Sequence, residues 1–172
     1  MALQAFGKLT KDDYPSLSVL TTIYEIAENG RSCYHRGEAL RALGNFRKVP
    51  EDCEKPWDFV AKRLKNENWF VRSAATEVLG EFGKLAREHV DKVAEMLDDP
   101  VYEVRLMAIK ALGNFGEHSL RYVGKVVAKL SQENEDDYAS FDQREQLGFA
   151  VGNTLKRILK YMEVRETVHT SV

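Results

Sequence analysis

An arginine followed eight residues later by a glycine recurs four times: Arg36 with Gly44, Arg72 with Gly80, Arg105 with Gly113, and Arg144 with Gly152. The arginines stand 36, 33 and 39 residues apart. The surroundings agree from copy to copy. Ala39, Ala75 and Ala108 follow the arginine by three positions, with Leu147 in the last copy. Leu43, Leu79 and Leu112 precede the glycine, and Val71 and Val104 precede the arginine, with His35 and Gln143 in the outer copies. A period of this length constrains the chain to a stack of similar helix pairs, each touching its neighbours.

One helix pair cannot cover its own apolar stripe, so stacking must bury it. Small residues at Ala74, Ala75, Ala108 and Ala111 allow neighbouring helices to come close. The repeated glycine is expected either to relieve crowding there or to permit a left-handed cap. The spacing of apolar residues predicts first helices near Leu17 to Asn29, Trp57 to Asn66, Leu85 to Leu97 and His118 to Leu130. Their partners are expected at Ser32 to Phe46, Asn68 to Phe82, Val101 to Phe115 and Ser140 to Met162. Residues 1–162 then form one repeat domain, and 163–172 a flexible C-terminal tail. Ala2 to Gly7 matches Ala39 to Gly44, so the chain opens on the tail of a second helix. That opening suggests a truncated first repeat and a piece of a longer protein.

Three second helices read CYHRGEALRALGNF, NWFVRSAATEVLGEF and VYEVRLMAIKALGNF. They resemble the HEAT-repeat family, especially the short variety found in phycobilin lyases (PBS-lyase HEAT-like repeats). The resemblance covers nearly all of the chain. It implies an all-α fold, a right-handed α-solenoid of about four helix pairs. It also implies a ladder between units, from an aspartate in the turn and an arginine six residues on. Asp99 and Arg105 fit that pattern, and Asn66 with Arg72 fits with an amide for the acid. Gly30 and Tyr138 stand in that place before Arg36 and Arg144. The family's second helices line the concave side of the superhelix, where a partner would lie.

Which partner is a matter of chemistry. The net charge of −2 and pI near 6.1 argue against a chain that binds nucleic acid with its whole surface. No apolar run approaches the ~18 residues of a membrane span. Cys33 and Cys53 lack CxxC spacing, so neither a zinc site nor a disulfide framework is expected, and a reducing cytoplasm is the default. No nucleophile elbow or glycine-rich phosphate loop occurs. The resemblance extends to an iron-dependent hydroxylase with adjacent His-Glu pairs in its second helices. The nearest pairs here, Glu88-His89 and Glu117-His118, are reversed and start first helices. No metal, cofactor or catalytic residue is therefore expected, and His89 and His118 are read as exposed.

A protein or peptide partner remains the leading expectation. Aligning the copies stacks Cys33, Trp69, Tyr102 and Phe141 near the starts of the second helices. These aromatics either form a ridge beside a groove or seal one unit against the next. The next row on the same face is Gly37, Ser73, Leu106 and Glu145, followed by Arg41, Glu77, Lys110 and Phe149. Trp69, Ser73, Glu77, Tyr102, Leu106, Lys110, Phe141 and Glu145 are the candidate partner-binding residues. Arg36, Arg72, Arg105, Arg144 and Asp99 are the structural ladder. Two alternatives stand beside this. One is a structural or regulatory repeat domain docked on neighbouring repeats of a longer chain. The other is local nucleic-acid binding through Arg121, Lys125 and Lys129 with Lys156, Arg157 and Lys160, against which the acidic run Glu133 to Asp137 argues.

Overall fold

A computed structural model describes the backbone of residues 16–48, 53–135 and 141–169, and the side chains of 16–48, 53–131 and 142–160. The expected remnant at Met1 to Leu9 lies outside these residues. All regular elements among the described residues are helical. They are α1 (Leu17–Asn29), α2 (Cys33–Leu43), α3 (Pro56–Ala61), α4 (Trp69–Phe82), α5 (Val90–Glu95), α6 (Tyr102–Phe115), α7 (Val123–Glu135) and α8 (Phe141–His169). A 3-10 turn, Lys62–Lys65, extends α3, and Met96–Asp98 extends α5. Two more, Gly83–His89 and Gly116–Tyr122, lead into α5 and α7.

The helix starts follow from local chemistry. Ser16, Ser32 and Asn68 each accept a backbone N–H of the following first turn through the side-chain oxygen. Such caps satisfy donors that have no partner within the helix. Pro56 opens α3, where its missing N–H costs nothing. The expected first helices Leu85 to Leu97 and His118 to Leu130 are not continuous α-helices, because 3-10 turns occupy their first halves. Ala86, at φ −99 and ψ 19, breaks the first of them. Helix α8 runs on to His169, past the expected end at Met162.

Two layers result. The second helices α2, α4, α6 and α8 pack side by side in chain order, and α1, α3, α5 and α7 cover one side of them. Leu20, Leu40, Leu43, Leu64, Leu79, Leu97, Ile109, Leu112 and Phe115 are fully buried within the stack. Burial of this kind stabilises by about 1.5–3 kcal/mol per large side chain.

The repeated glycine has the first of its two expected roles. A Cβ on Gly80 would lie 2.7 Å from the Cα of Ala111, so α4 and α6 touch backbone to side chain there. A Cβ on Gly113 would lie 3.1 Å from Oγ1 of Thr154 on α8. The corresponding Gly152 meets nothing within 4 Å, since no described helix follows α8. The left-handed positions fall elsewhere, at Gly83 (φ 53) and Gly116 (φ 61), which open the 3-10 turns.

The junctions of the two layers differ in kind. In the first-helix layer, polar side-chain pairs cross each boundary between successive units. Arg63 reaches Glu28 at 3.1 Å, and His89 Nε2 meets Asp58 Oδ1 at 2.7 Å. Arg121 pairs with Asp91, while Lys125 and Lys129 both hold Asp98, at 2.6 and 2.7 Å. The second-helix layer adds a close glycine–alanine crossing at Gly80 and Ala111 to its polar links, among them Arg41 with Glu77.

Candidate partner-binding face

The arginine ladder sets the register of the face. Arg72 grips Asp99 of the next unit with two hydrogen bonds, Nε to Oδ2 at 2.7 Å and Nη2 to Oδ1 at 2.9 Å. Its Nη1 donates back to the carbonyls of Asn66 and Glu67. Arg36 donates to the Gly30 carbonyl, and Arg105 to those of Asp99 and Pro100. Each of these three guanidiniums thus ties down the turn before its own helix, and Arg72 also reaches across the boundary. Asp99 Oδ1 accepts from Val101 N as Asn66 Oδ1 accepts from Asn68 N, so the amide keeps the turn while lacking the charge. The hydrogen bond that Arg72 donates to Asp99 raises the arginine's pKa and favours its charged form. Position 138, the turn position before Arg144, lies outside the described residues.

Of the two rows that the alignment put on the open face, the first is largely enclosed. Ser73 is 7% and Leu106 8% exposed, and both are enclosed in the stack. Their row, one residue past the arginine, turns toward the neighbouring second helix and not toward solvent. A Cβ on Gly37, in the same row, would strike the ring of Phe70 on α4 at 2.6 Å. Glu145 is exposed in that row because no described helix packs beyond α8. Side-chain direction on a helix changes by about 100° per residue, so positions 73 and 77 differ by only about 40°, and the crossing of the next helix decides which is covered.

The aromatic row divides. Trp69 is 41% exposed and stands edge-on to Phe70, with centroids 5.8 Å apart. Tyr102 instead seals a boundary, its hydroxyl donating to the Gln143 carbonyl of α8 at 2.7 Å. The side chain of Phe141 lies outside the described residues. Tyr34, 60% exposed, stacks on Phe70 across the α2–α4 boundary.

The open row is Arg41, Glu77, Lys110 and Phe149. Arg41 donates to Glu77 on α4 at 2.8 Å and to Glu38 at 2.7 Å, and lies over the Phe70 ring. Lys110 is exposed, and Phe149 is 74% exposed. A cavity of about 360 Å³ between α6 and α8 is lined by Lys110, Asn114, Phe149, Asn153, Thr154 and Arg157, among others. Another, of about 600 Å³, lies at the ends of α2 and α4, with Arg47, Glu81, Lys84 and Asn114 in its wall.

Two sequence readings of charge change here. Arg121, Lys125 and Lys129 are held by Asp91 and Asp98, so two carboxylates offset much of that basic face. Lys129 is itself buried, at 8% exposure. His89, expected to be exposed, is 9% exposed because it bonds Asp58 of the preceding unit. Asp58, Glu88 and His89 are the one cluster of three potential metal ligands among the described residues. Nothing in the repeat pattern signals this meeting, since Asp58 and His89 are 31 residues apart.

The pattern of HEAT repeats matches residues 20–100 and again 58–140, two overlapping windows displaced by about one unit. The chain belongs to the HEAT-repeat family. Among curated proteins, none matches it at a significant level. As a HEAT-repeat chain it is an all-α solenoid, and such repeats generally serve as protein-interaction scaffolds and are typically non-enzymatic. No helix among the described residues is long and apolar enough to cross a membrane.

Proposed function

We propose that the chain is a non-enzymatic scaffold that binds a protein or peptide segment on the solvent-facing side of α2, α4, α6 and α8. The observation that supports this is the open row Arg41, Glu77, Lys110 and Phe149, four corresponding side chains carried on four packed helices. Phe149 and Trp69 supply exposed aromatic area, and aromatic residues lose little entropy when they become contacts. A pre-formed face also spares the ordering cost that a flexible loop incurs on binding. Trp69, Glu77, Lys110 and Glu145 remain candidate contacts. Ser73 and Leu106 act through packing, and Tyr102 acts as a seal. The free thiols of Cys33 and Cys53 suit the reducing cytoplasm as the working compartment.

The test compares proteins captured from lysate by the native chain, by W69S/F149S, and by K65E/K92E on the first-helix side. Truncating a central aromatic contact costs about 2 kcal/mol or more, roughly thirtyfold in affinity. The captured proteins should be lost with W69S/F149S and retained with K65E/K92E. Retention with the first pair would remove this face from consideration.

A further inference from the structure

The C-terminal edge of the second-helix layer carries charge that the rest of the layer does not. The cavity between α6 and α8 has Lys110 and Arg157 in its wall and no carboxylate. Lys110 forms no ion pair among the described residues, and Arg157 bonds the neutral side chain of Asn114. Asn114 is shared with the neighbouring cavity, where Arg47 and Lys84 accompany one acid, Glu81. Several cations elsewhere are matched by acids. Arg41 is held by Glu38 and Glu77, and Arg121, Lys125 and Lys129 by Asp91 and Asp98.

We infer that this edge is the subsite for an acidic, extended peptide segment with an apolar side chain seated on Phe149. The inference rests on the proposed scaffold function and names the chemistry of its partner. Phe149 borders the cavity beside both cations, so an apolar residue there brings its acidic neighbours toward Lys110 and Arg157. Asn114 and Asn153, also in the wall, can serve peptide N–H and carbonyl groups alike. Packed helices lie about 8–10 Å apart, and an extended chain advances about 3.3 Å per residue. Carboxylates three residues apart therefore meet successive units, and a segment of roughly nine residues spans the layer. A peptide fits better than a polyphosphate. Glu81 interrupts the edge, and Asp142 and Glu145 flank Phe149 on its other side. A regular phosphate backbone would meet those acids, whereas a peptide can set neutral residues against them.

Fluorescence anisotropy with the full chain tests this. The probes are labelled twelve-residue peptides of repeated Glu-Leu-Glu, Gln-Leu-Gln or Lys-Leu-Lys, and a twenty-base oligothymidylate. The Glu peptide should bind at least tenfold tighter than the other two peptides. K110E alone should weaken that preference and K110E/R157E abolish it, while K65E/K92E retains it. Circular dichroism on each variant confirms the fold, and K110E changes only an exposed side chain. Equal or tighter binding of the Lys peptide, or an unchanged Glu-peptide affinity in folded K110E, would overturn the inference. Oligothymidylate binding that exceeds the Glu peptide's and falls in the same variants would overturn it in favour of nucleic acid. If no peptide binds but lysate capture still depends on Trp69 and Phe149, the acidic class falls and the scaffold reading stands. If capture is also indifferent to them, both fall.

Discussion

Replacing glycine by alanine should have opposite effects at two corresponding positions. At Gly152 the added methyl meets nothing within 4 Å, so only helix propensity changes. G152A should therefore stabilise the chain by about 0.5–1 kcal/mol. At Gly80 the same propensity gain applies, but the methyl would sit 2.7 Å from the Cα and Cβ of Ala111. Carbon atoms rest about 3.5–4.0 Å apart, so α4 and α6 would have to separate by roughly 1 Å. Backbone cannot rotate aside as a side chain can. Overpacking of this sort costs about 1–3 kcal/mol, which exceeds or cancels the propensity gain. Propensity drops out of the comparison between the variants, so their difference in stability measures the crossing alone. Urea denaturation followed by circular dichroism should place G80A about 1–3 kcal/mol below G152A. Equal shifts of the two variants would refute the claim that Gly80 sets the approach of α4 and α6.

The ladder and the first-helix layer give two more tests. R72A leaves Asp99, whose side chain is 4% exposed, without its bidentate partner, and should cost about 3–5 kcal/mol by chemical denaturation. D99N/R72A should recover part of that loss, because the buried charge is gone. Asp98 has its pKa lowered, first by the hydrogen bond from Lys125 and then by that from Lys129. Its folded value lies below its unfolded one, so the stabilisation is present above an unfolded pKa of about 4 and is lost as pH falls through the folded value. Stability measured between pH 6 and pH 3 should fall less steeply for D98N than for the native chain, and parallel curves would exclude the contribution.

The repeat was legible because it depends on contacts that recur. Arg72, Gly80 and Ala111 stand in fixed register, and the same packing must be solved at each boundary. The number of layers and the paired helices followed from that register. The binding face was less legible. Position 73 and position 77 are one turn apart and look equivalent on a helical wheel, yet Ser73 is enclosed and Glu77 stays partly open. Which of them faces solvent depends on how the next helix crosses, and one helix's periodicity does not contain that angle. The charge pairing of Lys125 and Lys129 with Asp98 was hidden for a similar reason. A lysine stripe reads the same whether or not an acid from another unit sits against it.

A stack whose outer boundaries rest on exposed polar pairs, and whose inner boundary has a backbone crossing at Gly80, has a preferred direction of bending. The crossing at Gly80 acts as a pivot, since the Ala111 backbone there leaves no room for even a methyl group. The ionic stitches from Glu28 to Asp98 are the side that can lengthen, because counterions compete for them. Adjustment to a bound segment would then come as a small opening of the outer rim, with the inner face turning as a set of rigid slats.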